Sequence, residues 1–94
     1  MPREVGVVAW RVVFTRQAQK DAKKLAAAGL RPKAEALLEL LRHNPYQHPP
    51  PFEKLVGDLA GAYSRRINIQ HSLVYQILDE LRTVKVNRLW THYE

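Results

Sequence analysis

Three side-chain types spread along this 94-residue chain could together do chemistry on a phosphodiester. Glu53 follows Pro49-Pro50-Pro51-Phe52, so a carboxylate on a stiff approach is a candidate general base. Arg66 stands in Ser64-Arg65-Arg66, and a guanidinium fork matches two phosphate oxygens. His92 and Tyr93, followed by Glu94, offer a proton donor near neutral pH beside a ring that can stack on a base. Each also has an ordinary reading: a surface carboxylate beside Lys54, a solvated strand face, a surface histidine near the C-terminus. Taken together, and with no cysteine or evident nucleophilic serine, they are the inventory for metal-independent cleavage of RNA. A base removes the ribose 2′-OH proton, the oxygen attacks the adjacent phosphorus, and an acid protonates the departing 5′-oxygen. Cations meanwhile stabilise the phosphorane. DNA lacks the 2′-OH and could not react this way. His43, His48 and His71 show no metal-ligand spacing with one another or with His92, so neither metal nor cofactor is expected.

These side chains need elements to hold them. Val7 to Phe14 is rich in Val, Trp and Phe and reads as a first strand. Thr15 is a suitable N-cap for a helix from Arg16 to Ala28, which Gly29 stops. Pro32 opens a second helix with Ala34, Leu37, Leu38 and Leu41 on its apolar face. Residues 44–51 hold four prolines in eight positions and predict a rigid irregular connection. Strands are expected at 62–69, 72–78 and 83–90, with 53–56 a candidate fourth and 79–82 a hairpin-like connection. Alternation points Arg65, Ile67 and Ile69 one way and Ser64, Arg66, Asn68 and Gln70 the other. The order strand, helix pair, antiparallel strands predicts one α+β domain over 1–94, with both helices on one sheet face.

Composition narrows the class. Fifteen Lys and Arg against nine Asp and Glu give a net charge of +6. Eight of the basic residues lie between Arg3 and Lys33, where Glu4 and Asp21 are the only acids. Such a half suits a polyanionic partner, nucleic acid or an acidic protein segment. An apolar fraction of 46% fits a packed core, and no apolar run reaches the roughly 20 residues of a membrane span. With no signal-peptide pattern and no cysteine, a cytoplasmic domain without membrane attachment is expected.

Phe52-Glu53-Lys54-Leu55, Leu59-Ala60-Gly61-Ala62-Tyr63-Ser64-Arg65-Arg66-Ile67, His71, Leu73-Val74-Tyr75 and His92-Tyr93 together resemble the YoeB/Txe toxins of the RelE superfamily. The strand–helix–helix–sheet order agrees over essentially the whole chain. The resemblance implies a ribosome-dependent mRNA endoribonuclease acting on A-site mRNA, neutralised by a cognate antitoxin, with a homodimer also conceivable. It implies Glu53 as general base, His92 as general acid, Tyr93 as the closing aromatic that orients substrate, and Arg66 near the phosphate. Lys54, Arg65 and Tyr63 are expected to contact RNA.

One position departs from the pattern. The family usually carries Arg after the motif histidine, where this chain has Ser72. A hydroxyl cannot replace a permanent charge there, and losing one such contact costs about 3–4 kcal/mol of transition-state stabilisation. A weakened enzyme is therefore expected, whether Ser72 is an attenuating replacement or natural divergence. A lysine that some relatives place at Val56 is also missing, with Lys54 as its possible substitute. The alternatives are a ParE-like gyrase inhibitor, which needs no Glu/His pair, and a non-catalytic RNA- or antitoxin-binding module.

Overall fold

Local chemistry sets the element boundaries in the computed structural model, which describes residues 9–57 and 60–90. Strand β1 (Arg11–Phe14) leads to Thr15, whose hydroxyl oxygen accepts the Ala18 N–H at 3.1 Å and caps helix α1 (Arg16–Ala27). The same hydroxyl donates to the Asn87 carbonyl, so the cap also fastens the helix to the sheet. Gly29, at φ 76°, ends α1: its N–H reaches the Ala26 carbonyl and that of Leu30 reaches Leu25. This pair of bonds is the Schellman arrangement, which favours glycine at the left-handed position. Pro32 lies in the first turn of α2 (Arg31–His43), where its missing N–H costs nothing.

The remaining chain forms β2 (Glu53–Lys54), β3 (Ala62–Arg66), β4 (Ser72–Leu78) and β5 (Thr83–Arg88), with a 3₁₀ turn at Asp79–Leu81. The sheet order is β1-β5-β4-β3-β2, antiparallel except where β1 runs parallel to β5. The sheet thus has five strands, slightly more than the antiparallel set of three or four expected after the helices, because β1 joins it. The helix pair supplies the long crossover that a parallel partnership requires, which adds β1 to the antiparallel set. The α+β architecture is as expected. Among the described residues no helix is long and apolar enough to cross a membrane.

Directly paired residues share a face. Tyr63 pairs with Tyr75, Arg65 with Leu73 and Ile77 with Val84, and this face meets the helices. Leu25, Leu38 and Leu41 pack there against Leu73, Tyr75, Val84 and Val86. Each such buried Leu or Val contributes about 1.5–3 kcal/mol. Glu53 pairs with Ser64, Ser64 with Val74 and Arg66 with Ser72, and these belong to the opposite face.

Two strands end earlier than the β-propensity of their residues suggests. β3 stops at Arg66 because the Asn68 side-chain oxygen accepts the N–H groups of Gln70 and His71 at 2.9 and 2.7 Å, closing a turn. β5 stops at Arg88 because the next two N–H groups turn to a side chain on α1.

Candidate active site

The proline-rich segment cannot form a ladder of its own, since each proline lacks a donor, so its carbonyls must find other partners. Arg65 supplies them. Its guanidinium donates to the carbonyls of Pro50 at 2.6 Å, Gln47 at 2.7 Å and Pro45 at 3.0 Å, and through Nε to the Tyr75 hydroxyl at 2.9 Å. It also lies 4.7 Å from the Phe52 ring centre. Burial pushes the Tyr75 phenol up, against the opposing pull of Arg65.

A second tie holds the start of the segment. The Tyr46 hydroxyl donates to the Asp79 carboxylate at 2.7–2.8 Å. Desolvation, then the hydrogen bond and the negative charge of Asp79, push this phenol up to about 12. Tyr63 stacks on Tyr75 with centroids 5.7 Å apart and meets Tyr46 and Phe52 edge-on.

The segment held in this way delivers Glu53 to a concavity of about 300 Å³ on the sheet face away from the helices. Its walls are Pro50, Pro51, Phe52, Glu53, Ser64, Arg66 and Ser72. Glu53 and Arg66 are exposed, whereas Ser64 and Ser72 are buried. A carboxylate and a guanidinium thus share one hollow open to solvent, an arrangement suited to gripping a phosphodiester and accepting a proton. A comparable groove of about 310 Å³ between α1 and α2 is lined mainly by Phe14, Leu25, Leu38 and alanines. Its charged lining is Lys23 with Arg31 and Glu35, and the one carboxylate, Glu35, is engaged by Arg31 at 3.3 Å.

Three of the expected residues lie elsewhere. Arg65 is only 1% exposed with four hydrogen bonds already made, so it is not a surface contact for RNA. Lys54 pairs with Tyr63, which turns it to the opposite face from Glu53, and it lines no wall of the concavity. Tyr63 is half-buried in the ring cluster on the helix side and likewise lines no part of the hollow. Glu53, Arg66 and Ser72 are brought together; His92 and Tyr93 lie outside the described residues.

A residue the sequence left unassigned aims the end of the described chain. Asp21, fully buried on α1, accepts from Arg88 Nε at 2.8 Å and from the N–H groups of Leu89 at 3.0 Å and Trp90 at 3.2 Å. Gln17 donates to its other oxygen. Burial alone would push this carboxyl up; the bonds from Arg88, Leu89, Gln17 and Trp90 outweigh it and hold Asp21 below the ordinary carboxylate value. Trp90 then stacks on His71, centroids 3.8 Å apart, beside Ser72. The available signal for Asp21 was its isolation as an acid within a basic half. Among the described residues no group of His, Cys, Asp and Glu could hold a metal.

A helix hairpin on one face of a small sheet, with a charged hollow on the other, is the architecture of a class of small bacterial toxins. A YoeB/ParE toxin from Agrobacterium tumefaciens is 27% identical, with a TM-score of 0.79, over 88% of this chain and 99% of its own. The YoeB of Staphylococcus aureus, solved as a dimer, is 32% identical with a TM-score of 0.76, over 90% and 99% of the two chains. The toxin–antitoxin complex RelBE2 from Mycobacterium tuberculosis gives 30% identity and a TM-score of 0.71, over 90% and 100%. No curated protein matches at a significant level. The family model for YoeB-like toxins of bacterial type II toxin–antitoxin systems matches residues 14–93. This chain belongs to that family.

Proposed function

We propose that this toxin cleaves mRNA on the ribosome, by attack of a ribose 2′-OH that needs no metal. Glu53 takes the 2′-OH proton, and the freed oxygen attacks the adjacent phosphorus. Arg66 balances the charge of the phosphorane. His92 gives its proton to the departing 5′-oxygen, and Tyr93 orients the substrate. The products are a 2′,3′-cyclic phosphate and a 5′-hydroxyl. With Ser72 where relatives carry Arg, one cation is missing and the reaction is slow. The observation that carries this reading is the shared hollow of Glu53, Arg66 and Ser72.

The partner is a cognate antitoxin whose acidic or amphipathic segment folds over the basic surface, in the cytoplasm. The S. aureus relatives, solved as a YoeB dimer and as a YoeB–YefM complex, support an antitoxin partner and allow self-association.

Translation extracts programmed with a defined mRNA test the proposal, run beside a gyrase supercoiling assay. Cleavage within the ribosomal A site is expected, lowered at least about 100-fold by Glu53→Gln. Supercoiling inhibition without cleavage would replace this reading with a gyrase inhibitor. Antitoxin binding with neither activity would leave a non-catalytic module.

A further inference from the structure

We propose that Arg65 is a positioning residue for this reaction, acting through the segment that carries Glu53; the proposal rests on the cleavage reading above. A buried cation is costly unless every bond it can make is made. Arg65 is 1% exposed, and among the described residues no carboxylate pairs with it. Its charge is met by backbone oxygens: those of Pro45, Gln47 and Pro50, all from one six-residue stretch. Two of the three are prolines, which carry no N–H for any ladder.

Directly beyond this stretch the chain enters the hollow. Pro50 and Phe52 form walls of it, Phe52 lies over the guanidinium, and Glu53 is next along the chain. β2 is only two residues long, so its ladder alone is a weak hold on the Glu53 carboxylate. Arg65 gathers the preceding carbonyls from the other side. It touches none of the reacting groups; it sets where the base stands. A misplacement of about 1 Å at a reacting centre can cost about 100-fold in rate. Only a planar fork with donors on three nitrogens can serve three carbonyls and a phenol at once.

The test uses the full chain as Arg65→Ala, which leaves a space the size of a guanidinium ion. Ribosome-dependent cleavage is measured as separate kcat and KM, at a temperature where circular dichroism shows the variant folded. We expect kcat to fall at least about 30-fold with KM within about threefold. Millimolar guanidinium ion, but not ammonium, should restore at least about fivefold of the loss. Amide exchange over residues 46–54 should accelerate at least about tenfold, a readout that needs no catalysis. Tyr75→Phe, which removes one acceptor and keeps the ring, should lower kcat about threefold.

A kcat within threefold of the parent in folded Arg65→Ala overturns the proposal. So does a loss that tracks the unfolded fraction and ignores guanidinium. If Arg65→Ala does not fold, an unchanged kcat and unchanged loop exchange in Tyr75→Phe overturn it instead. If the parent cleaves no mRNA, the cleavage reading fails, and exchange over 46–54 still decides whether Arg65 holds the loop.

Discussion

Ser72 faces Arg66 across the β3–β4 ladder and is 5% exposed, so it is a buried wall of the hollow rather than a surface strand position. Ser72→Arg therefore enters a confined place, directly opposite a like charge, which costs about 1 kcal/mol of stability in the absence of an anion. The hollow beside it has room for the longer side chain, and a phosphate between the two guanidinium groups relieves the repulsion. Cleavage by Ser72→Arg is expected to rise at least about tenfold over the parent, and growth inhibition on expression with it. In a His92→Gln background the same change should rescue little, because in the proposed mechanism the leaving oxygen then lacks its proton donor. Equal cleavage by parent and Ser72→Arg at equal ribosome occupancy would show that the family's arginine role does not transfer to position 72.

At the scale of elements, α1 holds the exit of β5 through one carboxylate. Asp21 is fully buried, and removing it leaves the buried Leu89 N–H and the Trp90 N–H without their acceptor. Arg88, about one-third exposed, can turn to water, so the main loss is the unsatisfied backbone. Asp21→Ala should cost about 2–3 kcal/mol, read from urea denaturation. The pH dependence has a definite sign. The folded state lowers this pKa, so the stabilisation is complete above the unfolded value near 3.8 and is lost as pH falls through the lower folded value. The parent should lose stability on acidification below about pH 4 more steeply than Asp21→Asn, which has no carboxylate to protonate. Parallel stability curves for the two proteins would contradict the assignment of this acid-sensitive contact to Asp21.

For the molecule as a whole, charge and shape are divided between two faces. Arg16, Lys20, Lys23 and Lys24 on α1 and Lys33 on α2 are exposed and belong to a chain of net charge +6. An acidic partner segment would be drawn to this side over a distance of about 10 Å at 0.1 M salt. Association with the cognate antitoxin should therefore slow at least about tenfold between 50 and 500 mM NaCl, with dissociation changing less. Free antitoxin at about 100 times its Kd should add about 2.7 kcal/mol of stability and raise Tm in a concentration-dependent way. Stopped-flow association across the salt series checks the first expectation, and an association rate independent of salt would remove charge as the guide.

The order of elements, the irregular proline-rich connection at 44–51 and the division of strand residues between faces as far as Ile67 were legible in the sequence. The expected alternation through Ile69 is broken by the Asn68 turn, which leaves Ile69 80% exposed. The legible features rest on local rules: proline geometry, capping chemistry and a period of two, each expressed within a few neighbouring residues. Alternation even set Arg65 apart from Arg66 and beside Ile67, on the side that proves to be the core. What Arg65 does there was decided only by the tertiary structure, because its carbonyl partners lie 15 to 20 residues away in a segment with no periodic signal. Asp21 is the extreme case, bonded to groups 67 to 69 residues distant. The parallel pairing of β1 with β5 has the same origin, since strand propensity says that a segment will pair but not with which partner. A buried charge is stabilised by whichever backbone groups the fold brings to it, and no local pattern of residue types records that meeting.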